Sequence, residues 1–347
     1  MAGDIKTFLK EYDGPEVAIM EVCGSHTAAI AREGIRSMLS NKIHLLAGPG
    51  CPVCVTASAY IDRLIELACT ENTTVVTFGD MIRIPGSSGS LRDAVGRGAD
   101  IAMVYSPLDI IRLAAGSPER EFVFAAVGFE TTAPAYGLLL EQLLARDIKN
   151  VRLLTAIKLM TPVIDWLCAE GPKIDGFIAP GHVSVITGSE AFVPASEKYG
   201  MPFAVAGFEG EEILAAIYWL LKSKGKGRVV NLYPQVVKPE GNVTARKKLD
   251  RFFEAGSAAW RGLGTIEGSG LYLRGEYKAF DAGSRGLDRD SKYNERCMCG
   301  AILAGRAEPG DCPLFAGGIC TPQDPQGACM VSFEGNCYQS YISGEQR

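Results

Sequence analysis

From Val17 to about Tyr218, short β-rich runs alternate with amphipathic stretches of helical period. VAIMEV, IHLLAG, TTVVTF, IAMVY, EFVFAAVG, VRLLTA, GFIAP and FAVAG read as strands. Between them TAAIAREGIRSML, SAYIDRLIELACT, SPLDIIRLAA, PAYGLLLEQLLA and EGEEILAAIYWLLKS read as helices. Strands separated by helices predict an α/β fold with doubly wound, Rossmann-like parallel sheets. In such sheets ligands bind at the carboxyl ends of the strands. Cys23, Cys51, Cys54, Asp80, Glu130 and His182 all fall in the Gly-containing loops at those ends. LLAGPGCPVCVT resembles FIAPGHVSVIT, and GFETT echoes GFEG. The echoes suggest two related α/β domains facing a cleft.

After Val229 the pattern breaks. NLYPQVVKPEGN is extended, NVTARKKLDRFFEAG reads as one helix, and GTIEGSGLYLRGEY is turn-rich with short strands. The last fifty or so residues are dense in Gly, Pro and Cys and show little helical period. Such a stretch builds little apolar core and needs a staple, which its cysteines can supply through a metal site. It reads as a separate Cys-rich domain.

Bulk properties narrow the setting. The chain has 347 residues and a formal net charge of −5, which argues against a general nucleic-acid binder. Its N-terminus lacks the apolar core of a signal peptide, and no apolar run reaches membrane-span length. The expected location is the cytoplasm, where eleven cysteines read as ligands, catalytic groups or reduced thiols rather than structural disulfides.

Six cysteines lie between Cys297 and Cys337. Cys297, Cys312, Cys320 and Cys337 follow the spacing C-x14-C-x7-C-x16-C. Zinc sites usually pair ligands as C-x2-C knuckles, which are missing from this segment. Single, widely spaced cysteines, one followed by Pro313, fit iron–sulfur ligation better. Cys299 and Cys329 are left over, the latter read as a buried small hydrophobe. Cys69 and Cys168, on apolar helical stretches, read as core.

Cys51-Pro52-Val53-Cys54 follows a Gly-Pro-Gly turn and precedes an expected helix, whose amides would favour a thiolate. The spacing permits a reversible disulfide. Redox or metal handling is favoured over half of a zinc knuckle. Cys23 ends a strand in EVCGSHT, where Gly24 frees the backbone to turn and His26 follows three residues on. This thiol reads either as a nucleophile or as a metal ligand with open positions. His182 is a further site candidate, and Glu130 is either a proton relay or an N-cap-like group. No P-loop and no strand-linked G-x-G-x-x-G is present.

EVCGSHT, GPGCPVCVT, GDMIRIPGS, GFETTAP, APGHVSVITG and the C-terminal cysteine spacing together resemble the hydrogenase maturation factor HypD family, from about Val17 to about Tyr341. Ser25 stands where that family usually has Thr or Gly. The resemblance implies a scaffold and redox protein that, with the partner HypC, holds an iron while it acquires two cyanides and one carbon monoxide. HypE, working with HypF, delivers the cyanide. It implies Cys23 as ligand of that iron and Cys51/Cys54 as a redox pair. Cys297, Cys312, Cys320 and Cys337 would bind a [4Fe-4S] cluster that feeds electrons to the pair. His26, His182 and Glu130 would handle protons or steady cyanide. The expected division is α/β domain I over 16–115, completed by part of 205–235, and domain II over 116–228. Residues 1–15 and 229–347 would form the iron–sulfur domain of a chain that is monomeric within a hetero-complex. The rival readings are a free-standing cluster-dependent thiol–disulfide reductase and a zinc-stapled binding module.

Overall fold

The computed structural model describes residues 2–344. Its strands are β1 (Val17–Glu21), β2 (Ile43–Ala47), β3 (Thr73–Thr77), β4 (Ile101–Met103), β5 (Glu121–Gly128) and β6 (Val151–Lys158), followed by β7 (Gly176–Ala179), β8 (Phe203–Val205), β9 (Val229–Asn231), β10 (Phe253–Trp260) and β11 (Gly264–Leu273). The helices are α1 (Ala2–Lys10), α2 (Gly24–Arg32), α3 (Ser58–Ala68), α4 (Leu91–Val95), α5 (Asp109–Gly116), α6 (Ala133–Ala145) and α7 (Met160–Glu170). They continue as α8 (Gly181–Thr187), α9 (Val193–Tyr199), α10 (Gly210–Ser223), α11 (Val243–Phe252), α12 (Cys299–Leu303), α13 (Pro313–Ala316) and α14 (Asn336–Ile342).

The eight strands read from the pattern are all present, and they form an α/β fold with two sheets. One sheet has the order β2-β1-β7-β8-β9 and is parallel throughout. The other has the order β10-β11-β6-β5-β3-β4. Its β3 to β6 are parallel, while β11 runs antiparallel to β6 and β10 antiparallel to β11.

The sheets do not follow the expected consecutive segments. Of the strands in 16–115, β1 and β2 join the first sheet and β3 and β4 the second; of those in 116–228, β5 and β6 join the second and β7 and β8 the first. The two similar Gly-Pro turns thus follow β2 and β7, which flank β1 in one sheet. They do not mark equivalent places in two domains.

The expected cluster domain is likewise shared out, with Met1 and residues 345–347 outside the described part. Helix α1 packs on α10, where the Phe8 and Tyr218 rings meet edge to face at 5.1 Å and Leu9 is buried among Ile213 and Ile217. The helix read in NVTARKKLDRFFEAG ends at Phe252, and its tail becomes β10 on the edge of the second sheet. The Cys-rich segment packs into the core that also holds Met20, Val127, Phe177 and Trp260. With so few apolar residues of its own, it gains burial by joining the sheets rather than standing apart. Cys69, read as core, is exposed at the end of α3, and Cys168 is half-buried. Among the described residues no helix is long and apolar enough to cross a membrane.

Candidate functional site

The topology selects one crevice in each sheet. In the first sheet the chain leaves β1 toward β2 on one side, while β7 lies on the other. In the second sheet β4 and β5 lie on opposite sides of β3. Such reversals open a crevice beyond the strand ends. The first reversal places Cys23 beside the loop of His182, and the second places Asp80 and Glu130 at neighbouring strand ends.

Cys23 is almost fully buried at the N-terminus of α2. Its N–H donates to Glu21 Oε2 at 2.9 Å, and Thr27 donates to Glu21 Oε1 at 2.5 Å. Burial pushes the Glu21 carboxyl up to about 7. Burial, then the charges of Glu334 and Glu21, pushes the Cys23 thiol up to about 12. A nucleophilic cysteine needs the opposite, a thiol acidified by a nearby cation or helix amides. A metal ion displaces the thiol proton outright, and the negative surroundings that oppose a thiolate attract a divalent cation. The electrostatics therefore speak against a nucleophilic Cys23 and leave its reading as a metal ligand standing.

The histidines divide. His26 is buried, and its Nε2 donates to Gly207 O at 2.9 Å, in the GFEG loop after β8. Burial holds it neutral by lowering its pKa to about 4. Among the described residues Nδ1 has no hydrogen-bond partner. At neutral pH that nitrogen is an acceptor, so the ring has no proton to give there. His182 lies 3.4 Å through Nδ1 from Ser25 Oγ and stacks at 4.2 Å on Phe208, whose ring also meets His26 at 4.7 Å. One phenyl ring thus fixes both imidazoles beside the Cys23 loop.

Cys51 and Cys54 form a disulfide, and Cys54 N–H donates to Cys51 Sγ at 3.2 Å. The helix expected to start there begins only at Ser58. The intervening Thr56 bridges to Trp260 instead. Gly24 N–H donates to Gly50 O at 3.0 Å, and a Cβ on Gly50 would lie 2.3 Å from Cys23 N. Glycine is what lets the CPVC loop lie against the end of β1.

Cys297, Cys312, Cys320 and Cys337 are free, buried thiols in one core. Burial raises Cys337 well above the ordinary range, and Cys320, Cys297 and Cys312 raise it further, so the four thiols lie within electrostatic reach of one another. Among the described residues no group of three or more His, Cys, Asp or Glu side chains is placed to hold a single metal ion. The donor set fits a larger group. Gln326 N–H donates to Cys320 Sγ at 3.3 Å, and a Cβ on Gly327 would lie 2.6 Å from Cys297 Sγ. Amides directed at sulfur and close backbone approach suit cluster ligation.

Four features have little signal in the sequence. Cys299 and Cys329, read as leftovers, form a second disulfide across a separation of 30 residues. Arg261, buried, donates from Nε to Thr56 O at 2.7 Å and from Nη2 to Pro85 O at 2.9 Å. Arg83, in GDMIRIPGS, donates to Pro322 O at 2.8 Å and so anchors the loop after Cys320. Glu334 accepts from Ser25 Oγ at 2.9 Å. Its one hint is position, three residues before Cys337.

Glu130 serves a different place. Its Oε1 accepts from Met160 N–H at 2.7 Å, capping α7, while its buried Oε2 has no partner. It borders a cavity of about 430 Å³ shared with Thr161, Thr187, Arg246 and Arg274. Burial raises its carboxyl from 4.5 to about 7. A raised folded-state pKa gives stability that is full below about 4.5 and is lost as pH rises through about 7. At about 1.4 kcal/mol per pH unit, the loss is about 3 kcal/mol. Glu130→Gln is expected to remove that slope, so that denaturant melts near pH 5 and near pH 8 converge; an unchanged slope assigns the pH dependence to other groups.

Comparisons with known proteins give the chain a family. A family model described as "Hydrogenase formation hypA family" (HypD) matches residues 1–344. The chain is 43% identical over 342 residues to the hydrogenase maturation factor HypD of Rhizobium leguminosarum, covering 94% of this chain and 88% of that one. It is 40% identical over 334 residues to that of Escherichia coli, covering 94% and 89%. For that of Azotobacter vinelandii the identity is 41% over 342 residues, covering 95% and 90%. A buried strand-end thiol, a CPVC disulfide and four buried free thiols on two α/β sheets define a cysteine-rich α/β protein. The chain belongs to the HypD family of hydrogenase maturation factors.

Proposed function

We propose that this chain is a cytoplasmic scaffold and redox protein that holds iron while the Fe(CN)2CO centre of a [NiFe]-hydrogenase is assembled. The observation that carries the reading is how the cysteines sort. Cys297, Cys312, Cys320 and Cys337 stay free and buried in one core, two pairs are joined, Cys69 and Cys168 lie apart on helices, and Cys23 is buried at a strand-end crevice. Cys23 supplies one ligand to the iron cargo. HypC supplies another, and HypE, charged by HypF, brings cyanide. Glu21 and Glu334 give the crevice the negative potential that draws a divalent ion, and His182 and Ser25 form its polar wall.

Cys297, Cys312, Cys320 and Cys337 would hold a [4Fe-4S] cluster, which when bound supplies one-electron transfer. The Cys51–Cys54 disulfide takes up two electrons and two protons to become two thiols. Its link toward the Cys-rich segment is the Trp260–Gly262 turn. Arg261 bonds both Val55 O and Thr56 O, and Gly262 packs against Gly300, beside Cys299. A free-standing reductase is less well supported. Cys51 is 3% exposed and Cys54 0% exposed, so a protein disulfide has no approach to either sulfur.

In the HypC complex purified without oxygen, Cys23→Ala is expected to remove the infrared bands of iron-bound cyanide. Bands at full strength would refute Cys23 as a ligand.

A further inference from the structure

The geometry points to Glu334 as a positioning residue that closes the Cys23 loop, held in place by the Cys299–Cys329 disulfide. The inference rests on the reading of Cys23 as the iron-binding thiol and adds a link between that thiol and the disulfide.

Two contacts place Glu334 on the loop. Its Oε1 accepts a hydrogen bond from Ser25 Oγ at 2.9 Å. Its side chain lies directly on Gly24, where an added Cβ would sit 2.3 Å from Glu334 Cβ and 3.0 Å from its Cγ and Cδ. Only glycine after Cys23 permits so close an approach. The side chain therefore covers the backbone beside the thiol, and Cys23 is 6% exposed.

The other end of the segment is fastened to the cysteines. Gly335 packs on Cys329, where a Cβ would come 2.1 Å from Cys329 O. Gly335 N–H donates to Ser332 O at 2.9 Å, so residues 329–335 make one tight turn. Cys329 is tied to Cys299, and Arg83 reaches Val331 O at 3.5 Å. A five-residue step thus runs from a breakable bond to the carboxylate over Cys23. A dithiol reductant that gives up two hydrogens and closes its own disulfide leaves Cys299 and Cys329 as separate thiols. The turn then loses its covalent anchor, keeping its hydrogen bonds and core packing, and the cover over Cys23 loosens.

The test is the alkylation rate of Cys23 in the full chain as purified without HypC, with no cargo iron on Cys23, read by peptide mass spectrometry. Cys168, a half-buried free thiol, is the internal control. Losing the cover and its charged hydrogen bond predicts Cys23 modified at least about tenfold faster in Glu334→Ala. Glu334→Gln keeps the cover and can accept from Ser25, so its rate is expected to stay near that of the native chain. The double variant Cys299→Ala/Cys329→Ala is expected to raise the Cys23 rate about fivefold or more, as loss of one anchoring contact would. In each case the Cys168 rate is unchanged. Equal rates at Cys23 in Glu334→Ala and the native chain overturn the proposal, as does a parallel rise at Cys168, which signals general loosening. A Gln variant as fast as the Ala variant overturns the covering role in favour of charge alone. A double variant with native Cys23 reactivity removes the disulfide from the proposal. None of these outcomes depends on iron, so the infrared result for Cys23→Ala fails or succeeds separately.

Discussion

Cys337→Ser, purified without oxygen, is expected to hold only a small fraction of the iron and acid-labile sulfide of the native chain. The reason lies in the cost of its site. Cys337 is buried, and three other sulfurs surround it, all acting to keep its proton on. Four thiolates cannot stay ionised together in such a core unless cations balance them. As neutral thiols the four can share the core, but as cluster ligands they need bound cations to balance their charge, so losing one corner would remove both a ligand and part of that balance. Serine is a hard oxygen donor with a far weaker acid, a poor substitute for a thiolate toward iron–sulfur groups. The sorting of cysteines sets the controls. Cys168→Ser and Cys299→Ser lie outside the set of four and are expected to keep iron and sulfide near native levels. If Cys337→Ser keeps them too, the four-thiol assignment is wrong. A metal analysis showing zinc without sulfide would instead favour the stapled binding module. Because the segment borrows its core from the sheets, removing the metal is also expected to lower the denaturation midpoint of the whole chain, not of one part.

The strands are legible because buried parallel strands write themselves as short apolar runs bounded by glycine turns. The sheet membership is not. Sequence order suggests two consecutive domains, but β3 to β6 form one block inserted between β2 and β7, and no local pattern records which neighbour a strand will choose. Phe252-Phe253-Glu254 looks like the end of a helix, yet Phe253 begins β10 because its pairing with Leu273 on β11 outweighs helical propensity. Helix α7 is hidden by Pro162, which sits harmlessly in the first turn, where its missing N–H costs nothing. At the site, Cys23, the CPVC pair and the four spaced cysteines can be read from spacing and glycine context. The partner of Cys299 cannot, because 30 residues of irregular chain separate the two sulfurs. His26 and Glu130 stand out in the sequence, but nothing near them shows that one is bonded to Gly207 and the other caps α7. A side chain's partner is set by the fold of distant segments, and that information is spread along the chain.

Arg261→Met is expected to destabilise the protein by about 3–5 kcal/mol, the scale of two charged hydrogen bonds lost from buried carbonyls. Arg261 is 6% exposed, and its hydrogen bonds go to backbone carbonyls rather than to a carboxylate. Thr56 O belongs to the exit of the CPVC loop and Pro85 O to the GDMIRIPGS loop. Methionine fills much of the volume but donates nothing, so both carbonyls lose a charged donor, each worth about 1.5–3 kcal/mol. Lysine is expected to lose less, about half of that by count of donors retained, because an ammonium reaches one carbonyl but cannot span two in the fixed plane of a guanidinium. Burial lowers the Arg261 pKa, while Asp290, Cys297 and Asp62 act to keep the charge in place. Cys297, one of the four spaced cysteines, is thus within electrostatic reach of the guanidinium. The consequence reaches beyond stability. With Arg261 gone, the Trp260–Gly262 turn is no longer fastened through its side chain to Thr56, and the Cys51–Cys54 disulfide gains room to open to solvent. A small thiol reductant is therefore expected to reduce that disulfide faster in Arg261→Met than in the native chain, under conditions where both remain folded. Denaturant melts give the stability change, and timed trapping of Cys51 and Cys54 gives the rate. A variant as stable as the native chain would show that the two carbonyls find other donors and that the turn is held by its backbone bond from Arg261 N–H to Val55 O alone.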